Sequence, residues 1–344
     1  LKEIIGISIS EPQILIGKIM ERILVAGGAG YVGSKLVPAL LEKGYAVTVL
    51  DLYLYGREVL KAHPNLLEIE GDIRDLETVK KALLGCHHVI HLACISNDPS
   101  FELNPELGKS INFDAFEPFV KLAKQMGVNR FIYASSSSVY GVKEESNVTE
   151  DMPLEPLTDY SKFKAMCEEV LLRHMAPSFI CTILRPATVC GYAPRQRLDV
   201  VVNILTNHAY HNKKIKIMGG SQLRPNIHID DMVDAYLHVL VQPEERVQGE
   251  IFNVGYHNHS VSDIGKIVAD VVGGCTMEVV PTNDNRSYHV SSKKIAEKLN
   301  FVPLRTLEDA VQSLIDAFKD GKLPHSFEDK RYYNIQTMKE LNLK

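Results

Sequence analysis

The chain has 344 residues, 45% hydrophobic and 24% charged, the balance of a folded protein with a substantial core. A formal net charge of −5 excludes an extended nucleic-acid-binding surface, which needs clustered Lys and Arg. Six cysteines, none spaced C-x-x-C, exclude a thiolate zinc site and a dithiol redox centre and fit a reducing cytoplasm.

Residues 1–19 are partly apolar but broken by Glu11, Pro12 and Lys18. They hold no run long enough to span a bilayer and are read as an extension ahead of a start at Met20. From Arg22 onward, short apolar runs alternate with segments of helical spacing. Strands are expected at 22–26, 46–51, 66–70, 88–92, 130–135, 179–185 and 250–254. Buried-type strands alternating with helices imply a parallel sheet covered on both faces, an α/β fold of doubly wound Rossmann type with about seven strands. After Arg185 the texture changes to longer loops between helices expected at 200–211, 231–241, 261–272 and 307–319. The expected division is an extension (1–19), a dinucleotide-binding domain (20–185), a smaller substrate-binding region interleaved with the last strands (186–325) and a charged tail (326–344), either disordered or a short docking helix.

Gly27, Gly30 and Gly33 form G-x-x-G-x-x-G between the first strand and the helix that follows. A tight turn and a close backbone approach both need glycine, and a helix N-terminus offers free N–H groups to a pyrophosphate. Asp51 ends the next strand. A carboxylate there accepts from ribose hydroxyls and repels a 2′-phosphate, which favours NAD over NADP, although Arg57 lies close enough in sequence to oppose that preference. Asp72, after the third strand, fits either an adenine contact or a helix N-cap. His87 and His88, His208 and His211, and His257 and His259 have no carboxylate or cysteine at ligand spacing, so no metal is expected.

Tyr160 and Lys164 stand at i and i+4 and share one helix face. A phenol titrates near pH 10, and a neighbouring ammonium is expected to lower that value enough for proton exchange with an alcohol beside a nicotinamide. Four serines, Ser135 to Ser138, follow the fifth strand. In an open α/β sheet that end faces ligand, so one of their hydroxyls is expected to hold the reacting oxygen; the residues alone leave open which.

With these marks the chain resembles the extended short-chain dehydrogenase/reductase family, in its nucleotide-sugar epimerase/dehydratase branch. The resemblance runs from about residue 21 to about 322. It rests on GGAGYVG, Asp51, Gly71-Asp72-Ile73, His91-Leu92-Ala93, Asn112, the serine strand, Tyr160 with Lys164, Leu184-Arg185-Pro186, the stretch from Arg224 to Asp231, and Asp284-Asn285-Arg286. It implies bound NAD, held by Gly27, Gly30, Tyr31, Val32, Gly33, Asp51, Asp72, Ile73, Leu92, Ala93, Asn112, Tyr160, Lys164 and Pro186. It places the catalytic hydroxyl at Ser136, beside Tyr160 and Lys164. A nucleotide-sugar would meet Ser96, Ser137, Thr188, Asp199, Arg224, Arg286 and Tyr288, with Arg224 on its diphosphate. The resemblance also implies a cytoplasmic homodimer built on helices near 114–126 and 160–175.

Two departures bear on the reaction. Ser137 and Ser138 stand where 4,6-dehydratases carry an Asp-Glu pair, so the chain is more similar to the UDP-glucose 4-epimerase-like members. Thr188 replaces an asparagine common among relatives, and the stretch Arg195 to Asp199 is unusually basic, which leaves sugar and base open. The leading expectation is a nucleotide-sugar 4-epimerase. The alternatives are a C4 dehydrogenase or ketoreductase, a 4,6-dehydratase, and a non-catalytic NAD-binding regulator.

Overall fold

The structure is a computed structural model that describes residues 20–143, 145, 147–282, 287 and 289–341. The N-terminal extension, Arg286 and Tyr288 lie outside the described residues. Seven strands build the main sheet: β1 (Arg22–Ala26), β2 (Ala46–Asp51), β3 (Leu66–Glu70), β4 (His88–His91), β5 (Arg130–Ala134), β6 (Ile180–Pro186) and, after three strands of the later region, β10 (Glu250–Val254). Their order is β10-β6-β5-β4-β1-β2-β3 and every pairing is parallel. The chain winds outward through β2 and β3, then returns to place β4 on the other side of β1. The crevice between β1 and β4, at the carboxyl ends, is where such a sheet binds ligands.

Alternation along the strands feeds two cores. Ile23, Val25, Ile90 and Ile132 enter one, while Leu24, Ala26, Val89 and Phe131 enter the other. Burial on both faces is why these strands read as unbroken apolar runs.

The later region adds β7 (Thr188–Cys190), β8 (Lys214–Met218), β9 (Leu223–His228), β11 (His257–Ser260) and β12 (Thr276–Val280). They form a three-stranded sheet, β11-β9-β7, and a β12-β8 pair, none of which the apolar pattern announced. β8 buries only Ile215 and Ile217, β12 is largely exposed, and β9 carries Pro225, which lacks an N–H and reads as a breaker. Helices Val201–Asn212, Val261–Val272 and Leu307–Lys319 pack around β8 through Leu205, Ile264 and Val311. Helix Ile229–Leu240 starts ahead of the expected residue because His228 caps it, its Nδ1 accepting from the Asp230 N–H at 3.1 Å. The tail forms a helix, Asn334–Leu341, whose Met338 joins the core around Ile73, Ile95 and Phe101. No helix among the described residues is long and apolar enough to cross a membrane.

His91, at the end of β4, is buried among Phe116, Phe119 and Phe131, with ring centres 5.0 to 6.0 Å away. Neither ring nitrogen has a hydrogen-bond partner. Burial, aided by Lys164, pushes its pKa down to about 3, against about 6.5 in an unfolded chain. Between those values the unfolded chain binds the extra proton, so the contribution of His91 to stability falls as pH drops, by up to about 1.4 kcal/mol per pH unit. Urea unfolding of wild type and His91→Leu between pH 7 and 4 should show a shallower pH slope in the variant. Parallel slopes would mean that His91 is protonated in the folded protein.

Candidate active site

The glycine turn is built by contact. Gly27 has φ +81°, and a Cβ there would stand 2.6 Å from the Ala93 nitrogen. A Cβ on Gly33 would stand 2.5 Å from the Gly28 oxygen, whereas one on Gly30 would meet only the Gly27 oxygen at 3.2 Å and otherwise project into open space. The turn leads into helix Gly33–Glu42. Asp51 braces it from β2, one carboxylate oxygen accepting from the Ala29 N–H and the other from the Tyr53 N–H, both at 2.9 Å. Burial raises the Asp51 pKa, and these two donors oppose the rise.

A cavity of about 240 Å³ opens over this turn. Its walls include Gly27, Gly30, Tyr31, Val32, Gly33, Asp51, Asp72, Ile73, Leu92, Ala93, Tyr160, Lys164 and Pro186. Asn112 stands behind the wall: its side chain accepts from the Ile95 N–H at 2.8 Å and donates to the Ile95 carbonyl at 3.0 Å, fixing the 92–96 loop. The N-cap before helix Leu76–Leu83 is Asp75, whose carboxylate accepts from the Glu77 N–H at 3.0 Å. Asp72 instead accepts from Arg74, from its backbone N–H at 2.8 Å and from its guanidinium at 3.0 and 2.6 Å. Arg57 is paired with Glu70 and stacks 5.2 Å above the Tyr53 ring, outside the cavity wall.

A second cavity of about 890 Å³ adjoins the first, and Ser135, Tyr160, Pro186 and Arg197 belong to both walls. Ser136, Ser137, Thr188, Asp199 and Arg224 line it, joined by Lys214 and Lys216. Ser96 lies in the first cavity instead, where its hydroxyl accepts from the Asn334 amide at 2.9 Å.

Helix Asp159–Arg173 carries Tyr160 and Lys164 on one face. Thr158 and Ser161 start it with a reciprocal capping box, the Thr158 hydroxyl accepting from the Ser161 N–H at 3.3 Å and the Ser161 hydroxyl from the Thr158 N–H at 3.2 Å. Lys164 donates to the Ala134 carbonyl at 2.6 Å, and its nitrogen is 5.9 Å from the Tyr160 ring centre. The Tyr160 pKa is raised well above its ordinary value by burial, with Cys94 and Asp98 adding to the rise and Arg197 and a Ser136 hydrogen bond opposing it. This corrects the expected direction. Desolvation of the phenolate outweighs an ammonium held by a carbonyl, and the opposing cation that acts on Tyr160 is Arg197.

The four serines divide by direction. Ser135 donates to the buried carboxylate of Glu168. Ser136 begins the short turn Ser137–Tyr140, its Oγ accepting from the Ser138 N–H at 3.1 Å and lying 2.8 Å from the Ser138 Oγ. Glu168, one helical turn beyond Lys164, pairs with Arg185 through bonds of 3.0 and 2.6 Å, anchoring the Tyr160 helix to β6. Arg197 pairs with Asp199 at 2.6 Å, and the Asn334 N–H donates to the same carboxylate at 2.9 Å. Arg195, Arg197, Asn334 and Met338 escaped assignment from the sequence, where only the basic run around Arg195 gave a signal.

The open space above Gly30 and the paired cavities fit a dinucleotide meeting a second ligand at Tyr160. The chain is 28% identical over 334 residues to a UDP-glucose 4-epimerase of Lactobacillus helveticus, covering 90% of this chain and all of that one. It is 28% identical over 327 residues to a mouse dTDP-D-glucose 4,6-dehydratase, covering 88% of this chain and 90% of the relative. Its fold matches MoeE5, solved with UDP-glucuronic acid and NAD, with TM-score 0.76 and 27% identity over 87% of this chain and 99% of MoeE5. The model of the NAD dependent epimerase/dehydratase family aligns with residues 23–255, from β1 to the end of β10, so it takes in the glycine turn, the serines and the Tyr160 helix together, and the chain belongs to that family.

Proposed function

We propose that the protein is a nucleotide-sugar 4-epimerase. The observation that carries this reading is the placement of Tyr160 in the shared wall of the two cavities, with serines rather than acids at 137 and 138. Bound NAD supplies the hydride acceptor and, in the reverse sense, the donor. Tyr160 takes the proton of the sugar 4-hydroxyl and later returns one. Ser136 holds that oxygen, and Lys164, tied to the Ala134 carbonyl, fixes the helix face on which Tyr160 rides. Lys214, Lys216 and Arg224 add positive charge to the wall of the larger cavity, which suits a diphosphate. Its volume leaves space for a 4-keto sugar to present its other face.

A dehydratase would also need an acid–base pair for the C5 proton and the departing hydroxyl. Among the described residues, the carboxylates lining the larger cavity are Asp98 and Asp199. Asp98 accepts from the Thr158 hydroxyl, and Asp199 is engaged by Arg197 and Asn334. Incubating the purified protein with UDP-glucose, UDP-galactose, UDP-glucuronic acid or GDP-linked sugars, without added cofactor, should yield the C4 epimer. Accumulation of oxidised sugar and NADH in equal amounts would show a dehydrogenase, and a 4-keto-6-deoxy product would show a dehydratase.

A further inference from the structure

Arg195 is a buried cation without a carboxylate of its own. It is 3% exposed and its Nε has no hydrogen-bond partner; Asp51 and Asp199 lie near enough to act on its charge, but among the described residues neither forms an ion pair with it, and Asp199 is held by Arg197. A charged donor left unsatisfied in a protein interior is costly, so the geometry calls for an anion. Three contacts say where that anion lies. The Arg195 N–H donates to the Ser34 hydroxyl at 3.2 Å, so the residue starts beside the first turn of helix Gly33–Glu42. Its guanidinium then stacks on Tyr55, 3.6 Å from the ring centre, within the wall of the smaller cavity. One Nη donates to the Asn334 side-chain oxygen, which fixes the plane of the group from the C-terminal helix.

We propose that Arg195 is a second clamp on the cofactor diphosphate, acting from the wall of the smaller cavity beside the first turn of helix Gly33–Glu42, and that Asn334 is the residue that positions it. The glycine turn offers neutral N–H donors and a helix N-terminus. A guanidinium in the same cavity wall adds a full charge in a plane that matches two phosphate oxygens. Tyr55 keeps that plane from rotating. The C-terminal helix is then part of the cofactor site, with Asn334 on the guanidinium and Met338 in the cavity wall. The proposal rests on the family's NAD requirement and holds whichever way the sugar leaves.

The test is cofactor binding. NAD carried through purification is released by denaturation and quantified per chain for wild type, Arg195→Met and Asn334→Ala. The stripped proteins are then titrated with NAD, NADP, ADP and adenosine. For Arg195→Met, NAD and ADP should bind about 10- to 100-fold more weakly, the range for loss of a charged hydrogen bond, while adenosine binds as before. Asn334→Ala should lose affinity for the same two ligands to a smaller extent. Circular dichroism of the stripped proteins reports folding, and if Arg195→Met does not fold, Asn334→Ala decides. Unchanged NAD content and ADP affinity would overturn the proposal. So would an equal loss of adenosine, which would mean a general collapse of the cleft, or a loss confined to NADP, which would place the guanidinium on a 2′-phosphate.

Discussion

In the proposed epimerase reaction, Tyr160→Phe should lower turnover about 10²- to 10⁴-fold, the range for removal of a positioned acid–base group, with NAD still bound after purification. The ring keeps its place in both cavity walls, so only the proton-transferring oxygen is lost. The raised pKa sharpens the test. Burial holds the phenol protonated in the protein alone, and Arg197 is a cation that opposes this. Activity limited by phenolate should therefore rise with pH, and Arg197→Gln should move that rise to higher pH. Arg197→Lys, which restores the charge, should move it back. A Tyr160→Phe variant that epimerises at the wild-type rate would remove Tyr160 from the chemistry, and an unmoved pH profile in Arg197→Gln would remove Arg197 from its tuning.

The second large effect concerns stability. Arg185→Met should cost about 3–5 kcal/mol, because it leaves the Glu168 carboxylate buried without its partner. Both residues are almost fully buried, joined by bonds of 3.0 and 2.6 Å, and Arg185 also donates to the Tyr140 hydroxyl at 2.7 Å. The double variant Arg185→Met, Glu168→Leu should recover much of the loss, since an apolar pair needs no charge compensation. Urea unfolding of wild type and the two variants gives the comparison. A single variant as stable as wild type would mean that water reaches Glu168. The pair also bears on the site, because Glu168 lies on the helix that carries Tyr160 and Lys164 and accepts from Ser135, next to Ser136. Loosening it should lower turnover before it lowers NAD content.

The main sheet was legible because most of its strands are buried on both faces and therefore write an apolar run into a few adjacent residues, the exposed edge strand β3 being the exception. The glycine turn was legible for a similar reason: its constraint is local, a Cβ too close to neighbouring backbone. The spacing of Tyr160 and Lys164 is also local, one helical turn. By itself the sequence thus determined the doubly wound core, the cleft at the carboxyl ends and the chemical types gathered there.

Only the tertiary structure decided how those groups behave. Strands β7, β8, β11 and β12 bury few side chains each, and β9 carries Pro225 and the buried polar residues Asn226 and His228, so the continuous apolar run that marks the main sheet is missing from all five. Asn112 and Ser96 took positions set by the 92–96 loop rather than by their place in a motif. Asn334 reaches Arg195 from 139 residues away and Ser96 from 238, distances over which no periodicity carries information. The raised pKa of Tyr160 belongs here too. A neighbouring lysine is visible in the sequence, whereas desolvation depends on everything that closes around the ring, and inside a protein that term outweighs a single charge already engaged elsewhere.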